Sequence, residues 1–325
     1  GLNTHAKLAL VIRRENGVFR YYCHLGTGNY HPTTTKFYTD FGLLTAHPQI
    51  TSEVNEVFLH LTSLTKPKKL DHLWLAPFTL HRHLIRAILN EIRIARQGRP
   101  ARIVAKMNSL IDESVIRALY LASSSGVKID LIVRGACALR PGVPGLSENI
   151  RVRSIIGRFL EHERIYYFRN DLKHDLYLSS ADWMARNLFR RIEVAYPVLD
   201  PALKKRVIAE GLKYYLRDNT NSWELQSNGT YRRRKLRKKQ VPFGAQQHLA
   251  EIYDANVQKE LVGPEPPMLE AEQLPGNPAE VAHNDETTDI IATEDSPLTE
   301  TMPDTSVSAD KTLDTADDSR EEVPA

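Results

Sequence analysis

Apolar positions near the start of the chain alternate with a period of two before they take up helical spacing. Leu8–Ile12 and Phe19–Leu25 are β-rich runs separated by Glu15-Asn16-Gly17, and Asn-Gly supplies the positive φ angles of a tight hairpin turn. Ser52–Leu64 carries apolar residues at helical spacing. Lys66-Pro67-Lys68-Lys69 then interrupts the pattern as a linker. Beyond it the spacing predicts a helix over 80–96, a strand over 103–107, a helix over 112–123 and a strand over 128–133. These are the repeating units of an α/β sheet. Residues 164–168 and 175–178 read as a strand pair, Ser180 as the cap of a helix through Asn187, and 192–198 as a further strand. Asp200-Pro201 opens the next helix with a capping oxygen and a first-turn proline.

The pattern fades after residue 228. Tyr231–Lys239 reads YRRRKLRKK, and 242–253 suggests one short helix. From Gly263 onward there is no Phe, Tyr or Trp, and prolines recur among Glu, Asp, Thr and Ser. Such a composition buries too little apolar area to offset the entropy of ordering it, so this segment is expected to be disordered. The expected divisions are therefore 1–70, 71–228, 229–262 and 263–325.

Charge is unevenly distributed. Residues 1–241 hold 40 of the 43 Lys+Arg but only 20 of the 40 Asp+Glu, so the body is about +20 and the remainder about −17. A body of this sign favours polyanions, whether nucleotide, nucleic acid, polyphosphate or anionic lipid. Cys23 and Cys137 are the only cysteines and lie far apart in apolar stretches. They suit buried, reduced thiols and exclude a disulfide framework or a four-ligand zinc site. No apolar run approaches the roughly 18 to 20 residues that span a bilayer, so a soluble, intracellular chain is expected. It opens without methionine, directly into a strand pattern, and is expected to belong to a longer polypeptide.

The two hairpins share a chemical pattern. His5-Ala6-Lys7 precedes a strand pair that ends in Gly26-Thr27-Gly28-Asn29, and His162-Glu163-Arg164 precedes one that ends in Ser179-Ser180-Ala181-Asp182. Antiparallel pairing brings the two ends of each hairpin together, so each half can place an imidazole, a cation and turn amides around one anion. Lys7 and Arg164 each follow a histidine by two residues, on the same strand face. Transfer at phosphorus suits such a set: a neutral imidazole is a nucleophile, cations neutralise phosphate oxygens, and glycines admit close backbone approach. One His-x-Lys alone carries little weight, because a histidine at a strand edge is usually a surface polar group. The duplication is what gives it weight.

Six separated stretches resemble polyphosphate kinase of the first family: His5-Ala6-Lys7, Leu25–Leu44 (LGTGNYHPTTTKFYTDFGLL), Lys106–Asp112 (KMNSLID), Ala122–Gly135 (ASSSGVKIDLIVRG), Phe159–Arg164 (FLEHER) and Leu178–Asn187 (LSSADWMARN). The resemblance covers about 1–255 and leaves out the acidic tail. It implies an α/β fold of two phospholipase-D-like units related by a pseudo-dyad, the first truncated at its N-terminus: the C-terminal part of one catalytic domain over 1–70 and a second over 71–228, followed by a basic run with a short helix and the tail. It implies reversible transfer of the terminal phosphoryl group of ATP to polyphosphate through a phosphohistidine, with Mg2+ as cofactor and ATP, ADP and inorganic polyphosphate as partners. His5 matches the family's phosphorylated histidine, while Tyr38, Arg134 and His162 match residues that contact ATP. His162 then assists catalysis, and Lys7, Asn29, Arg164 and Ser180 are candidate phosphate contacts. The family's Mg2+-site arginines would lie upstream of Gly1, so no metal ligand is expected in this chain and its autonomous activity is expected to be low. A homo-oligomer is implied for the full-length protein, in the cytoplasm, with peripheral association at the inner face of the membrane left open and no specific nucleic acid.

Each residue also has a plainer reading. Arg134 could close a salt bridge at a strand end, Tyr38 could be a core aromatic, Ser180 a helix cap, and the 232–239 cations a solvated run. The other ten histidines show no metal-ligand spacing. Two alternative functions stay open. A phospholipase-D-like phosphodiesterase or nuclease would carry an acid where Ile12 stands and a lysine where Arg164 stands. A polyanion-binding module would need only the charge.

Overall fold

The structure is a computed structural model that describes residues 2–63, 67 and 69–262. The expected acidic tail over 263–325 lies outside the described residues. The alternating runs at the start form β2 (Lys7–Glu15) and β3 (Val18–Gly26), preceded by a two-residue strand β1 (Asn3–Thr4). Their turn has positive φ at Asn16 (50°) and Gly17 (82°), as an Asn-Gly hairpin requires. Strands β4 (Tyr38–Thr39) and β5 (Gly42–Thr45) follow, then helix α1 (Pro48–Ser63). Glu53 on α1 is nine-tenths buried and accepts the backbone N–H groups of Asp71, His72 and Leu73, which ties the helix to the chain beyond the linker.

The next stretch runs β6 (Trp74–Ala76), α2 (Leu80–Arg96), β7 (Arg102–Met107), α3 (Glu113–Ser124) and β8 (Lys128–Val133). Asp112 caps α3 by accepting from Val115 N–H at 3.0 Å. Strands β9 (Ile150–Ile155), β10 (Leu160–Glu161), β11 (Arg164–Phe168) and β12 (Asp175–Ser179) come next, then α4 (Ala185–Arg190) and β13 (Arg191–Pro197). Helix α5 (Pro201–Val207) starts from the Asp200 cap and passes through a π-helical stretch (Ile208–Lys213) into α6 (Tyr214–Arg217). The described chain closes with β14 (Ser222–Leu225), β15 (Tyr231–Arg233) and α7 (Ala245–Val262).

Among the described residues ten strands form one sheet, in the order β1-β13-β12-β11-β7-β8-β9-β14-β15 with β6 also on β13, while β2, β3 and β5 form a second sheet. Residues alternate along the central strands between two apolar layers. Ile103, Ala105 and Met107 of β7 pack with Leu84 and Ile88 of α2 and Leu119 of α3, whereas Val104 shares a layer with Val54 of α1 and Tyr215 of α6. Both faces of the sheet are thus covered, and strand ends are what remain available for chemistry.

Several expectations change here. Ser180 caps no helix: α4 begins five residues later, and the Ser180 hydroxyl is fully buried. Strands β9 and β14 fall outside the expected set, because the run IRVRSI places arginines where a half-buried strand would usually show two clean faces, and Arg153 is nevertheless buried. Part of the basic run pairs as edge strand β15, and the short helix expected over 242–253 runs over Ala245–Val262. Cys23 is buried but Cys137 is only partly so, and both are unpaired. Among the described residues no helix is long and apolar enough to cross a membrane.

Candidate active site

Two short parallel pairings bring the halves together. Thr4 of β1 pairs with Ile192 of β13, and Glu161 of β10 pairs with Thr39 of β4. In each case the next residue on one side is a histidine and on the other a carboxylate. His5 N–H donates to the Ile192 carbonyl at 2.9 Å, and His162 N–H to the Thr39 carbonyl at 3.3 Å. The side chains then meet: His5 Nδ1 lies 2.9 Å from Glu193 Oε2, and His162 Nδ1 lies 2.9 Å from Asp40 Oδ1. Each histidine is thus held by an acid from the other half. The same backbone arrangement occurs twice with the roles exchanged, which is the pseudo-dyad expressed in hydrogen bonds.

The acids are themselves fixed. Glu193 is fully buried and accepts from the Ser180 hydroxyl and the Asn187 amide. Asp40 accepts from Thr27 Oγ1 at 2.6 Å and lies against Gly28, where any Cβ would overlap its carboxylate. An ionised carboxylate can only accept, so Nδ1 of each imidazole is the donor, and in the neutral ring the lone pair is then on Nε2.

The two Nε2 atoms differ. Arg164 Nη1 reaches His162 Nε2 at 3.1 Å, whereas His5 Nε2 has no hydrogen-bond partner among the described residues. Arg164 is buried and forked on Asp182, with Nη2 to Oδ2 at 3.0 Å and Nε to Oδ1 at 3.3 Å, and its Nη1 also reaches the Thr27 carbonyl at 3.2 Å. Burial alone would raise the Asp182 carboxyl, but Arg164 and then Asn108 hold it below its ordinary range. Asn108 links this fork outward: its amide donates to Asp182 and to the His162 carbonyl, and its Oδ1 accepts from Arg134 Nε at 2.8 Å and Nη2 at 2.6 Å. Arg134, exposed just past the end of β8, forms no salt bridge among the described residues, and partial burial lowers its pKa while Asp182 and Glu161 act in the opposite direction.

Lys7 stands opposite Gly26, as Arg164 stands opposite Ser179. Its ammonium donates to the His5 carbonyl. Burial, assisted by Arg164 and Arg191 and opposed by Glu193 and Asp40, lowers it to about 8. Asn29 is exposed just past the turn. Of the candidate phosphate contacts, Lys7 is half-buried and Asn29 exposed, whereas Arg164 and Ser180 are buried. Arg164 engages Asp182, His162 and the Thr27 carbonyl, and the Ser180 hydroxyl donates to Glu193.

Tyr38 is partly exposed, with its ring centre 4.9 Å from that of His162. It borders a cavity of about 300 Å³ walled by Phe41, Phe159, Leu249 and Tyr253. Beneath it Lys106 is buried between Glu161 and Glu163. Burial raises the Glu163 carboxyl despite the lysine. Asp40 and Glu193 carried no signal of their own in the sequence. The one available clue was an acid at a comparable distance after each duplicated histidine.

A duplicated α/β protein whose halves meet at two carboxylate-held histidines is the class that fold and site define. Residues 1–67 match the family model of polyphosphate kinase C-terminal domain 1, and residues 73–246 that of polyphosphate kinase C-terminal domain 2. The chain belongs to the polyphosphate kinase family. It is 61% identical over 231 residues to the polyphosphate kinase of Neisseria meningitidis serogroup B, covering 71% of this chain and 34% of that one. It is 59% identical over 242 residues to the polyphosphate kinase of Burkholderia multivorans, covering 73% and 35%. The crystal structure of polyphosphate kinase from Porphyromonas gingivalis matches with a TM-score of 0.74 at 38% identity, covering 81% of this chain and 40% of that one. The chain spans about a third of the length of the curated relatives it matches.

Gly28→Ala tests the positioning of Asp40. The added methyl group must displace that carboxylate, so the low-field Nδ1–H proton resonance of His162 is expected to disappear while that of His5 persists. Two unchanged resonances would mean that Asp40 does not hold His162.

Proposed function

We propose that this chain carries the phosphoryl-transfer centre of an ATP:polyphosphate phosphotransferase, with His5 as the nucleophile. The observation that supports this most directly is the asymmetry of the histidines: both are held through Nδ1, but only His5 has an uncommitted Nε2. That lone pair attacks the terminal phosphorus of ATP or polyphosphate. The bond from phosphorus to the bridging oxygen breaks, and its electron pair leaves with ADP or the shortened polymer. His162, with the Arg164 cation beside it, stabilises the charge on the leaving oxygen, which departs as a phosphate oxyanion and needs no proton, and Lys7 and Arg134 neutralise charge on the transferred group. The phosphohistidine then passes its group to a polymer end or back to ADP. The cavity beside Tyr38 is the place for the nucleoside, since it offers aromatic walls next to His162.

Mg2+ enters this scheme with the nucleotide. The carboxylates of the site do not fit a resident ion: Asp40 and Glu193 hold histidines, Asp182 holds Arg164, and Glu161 and Glu163 hold Lys106. Among the described residues no group of three or more His, Cys, Asp or Glu is disposed to bind a metal. The phosphodiesterase alternative is weaker, because Ile12 occupies the position of its acid on a strand that faces solvent. Domain roles follow the same reading, with 1–70 and 71–228 each supplying one histidine and the acid for the other.

Phosphate on His5 is a phosphoramidate, labile in acid and stable in alkali. Incubation with γ-labelled ATP or labelled polyphosphate is expected to give a label with that stability, and His5→Ala to abolish it. Label that persists in the variant would remove His5 from the role of nucleophile.

The Lys7 ammonium gives a pH dependence. It is charged below about 8 and loses its proton above that value, so affinity for tripolyphosphate is expected to fall as the pH rises from 7 to 9. In Lys7→Arg, whose cation does not titrate in this range, the fall should vanish. A fall of equal size in the variant would assign it to another group.

A further inference from the structure

The edge of the large sheet carries a second cationic surface that the phosphoryl-transfer centre does not use. Strands β9, β14 and β15, with the turn at Pro141-Gly142 and the chain after Arg233, enclose an open groove of about 730 Å³. Arg151, Arg232, Arg233, Lys235 and Arg237 line it and are exposed. Arg234 is half-buried, and Arg153 lies buried within the same lining. Among the described residues none of these seven cations forms an ion pair with a carboxylate. Glu224 is the sole acid in the lining.

A few charges on an exposed edge strand would be ordinary protection against edge-to-edge pairing. This set goes further. The charges converge on a concavity instead of spreading along an edge, and one of them is buried. Arg153 donates to the Leu216 carbonyl at 2.6 Å and stands opposite Glu224 across the β9–β14 pair without forming a salt bridge to it; one acid is thus set among seven cations, and an anion in the groove would offset the excess charge.

The lining also indicates which anion. It contains no Phe, Tyr, Trp or His, so nucleic-acid bases would find nothing to stack on, and stacking supplies much of single-strand affinity. Arginine forks match phosphate oxygens bidentately and need no base. A polymer that is phosphate throughout fits both facts. Strand β15 lies three strand spacings from β8, which ends at Arg134. That separation is roughly 15 Å at about 4.8 Å per strand, within reach of a long polymer but not of a short one anchored at the histidines.

We propose that this groove is an accessory docking site for inorganic polyphosphate, holding a remote stretch of a long chain whose end lies at His5 and His162. The proposal rests on the phosphotransferase reading for the identity of the polymer.

The test uses the whole chain and the variant Arg151→Gln, Arg232→Gln, Lys235→Gln, Arg237→Gln, whose four side chains make no hydrogen bond to a described residue, so the fold should be spared. Binding of long-chain polyphosphate and of tripolyphosphate is measured across a salt series. For the long polymer the variant should lose roughly tenfold or more in affinity, and the slope of log K against log salt should flatten by about 3, at about 0.7 to 0.9 for each lost cation contact. Tripolyphosphate affinity should stay within about twofold, since it needs only the histidine centre. Unchanged long-chain affinity, or an equal loss for tripolyphosphate, would overturn the proposal. So would single-stranded RNA of matched charge displacing long polyphosphate and losing more affinity in the variant. Failure of the phosphotransferase reading looks different: wild type and variant would both fail to bind ATP or tripolyphosphate, while the groove variant still lost long-chain binding.

Discussion

The centre depends on each histidine being held by a carboxylate that belongs to the other half of the molecule. A two-residue parallel pairing sets the backbone, a histidine N–H to the opposite carbonyl locks the register, and the carboxylate one residue further on accepts the Nδ1–H hydrogen bond. The residues involved are separated by 188 and 122 positions in sequence. Neither half on its own contains an oriented imidazole. Packing between the halves is therefore part of the chemistry, because loosening it would free both rings at once.

Within that symmetry the cations break the equivalence. Arg164, rigid and forked on Asp182, sits against His162 and engages its Nε2. Its counterpart Lys7 is a compact ammonium on a flexible stem that turns to the His5 carbonyl and leaves Nε2 bare. Arginine stays charged in burial where lysine readily shifts, which accounts for the lowered Lys7. One difference between the halves thus leaves one ring with a bare Nε2 and the other with its Nε2 engaged, the asymmetry on which the proposed roles rest.

Much of the fold was legible because its signals are local. The Asn16-Gly17 turn, the helix over 80–96 and the Asp200-Pro201 helix start are each decided by a few neighbouring residues. The duplicated histidines and their turns were legible for the same reason. What escaped depends on distant partners: β1, β4 and β10 are strands of two residues that exist only by pairing across the chain. Asp40 and Glu193 are ordinary acids until that pairing places them. The burial of Ser180 and Arg164, and their partners Glu193 for the one and Asp182 and His162 for the other, are likewise set by the fold and not by neighbouring residues.

The orientation of His5 has a direct chemical signature, because a ring held through Nδ1 can be phosphorylated only on Nε2. Phosphohistidine isomers phosphorylated on the two nitrogens are distinguishable by phosphorus NMR after base-stable isolation. The decisive measurement is therefore the isomer formed on His5 in a protein carrying this chain, after incubation with ATP or polyphosphate. The expected product is the Nε2 isomer alone. Phosphate on Nδ1 of His5, or phosphate on His162 instead, would contradict the crossed pairing as the basis of the centre.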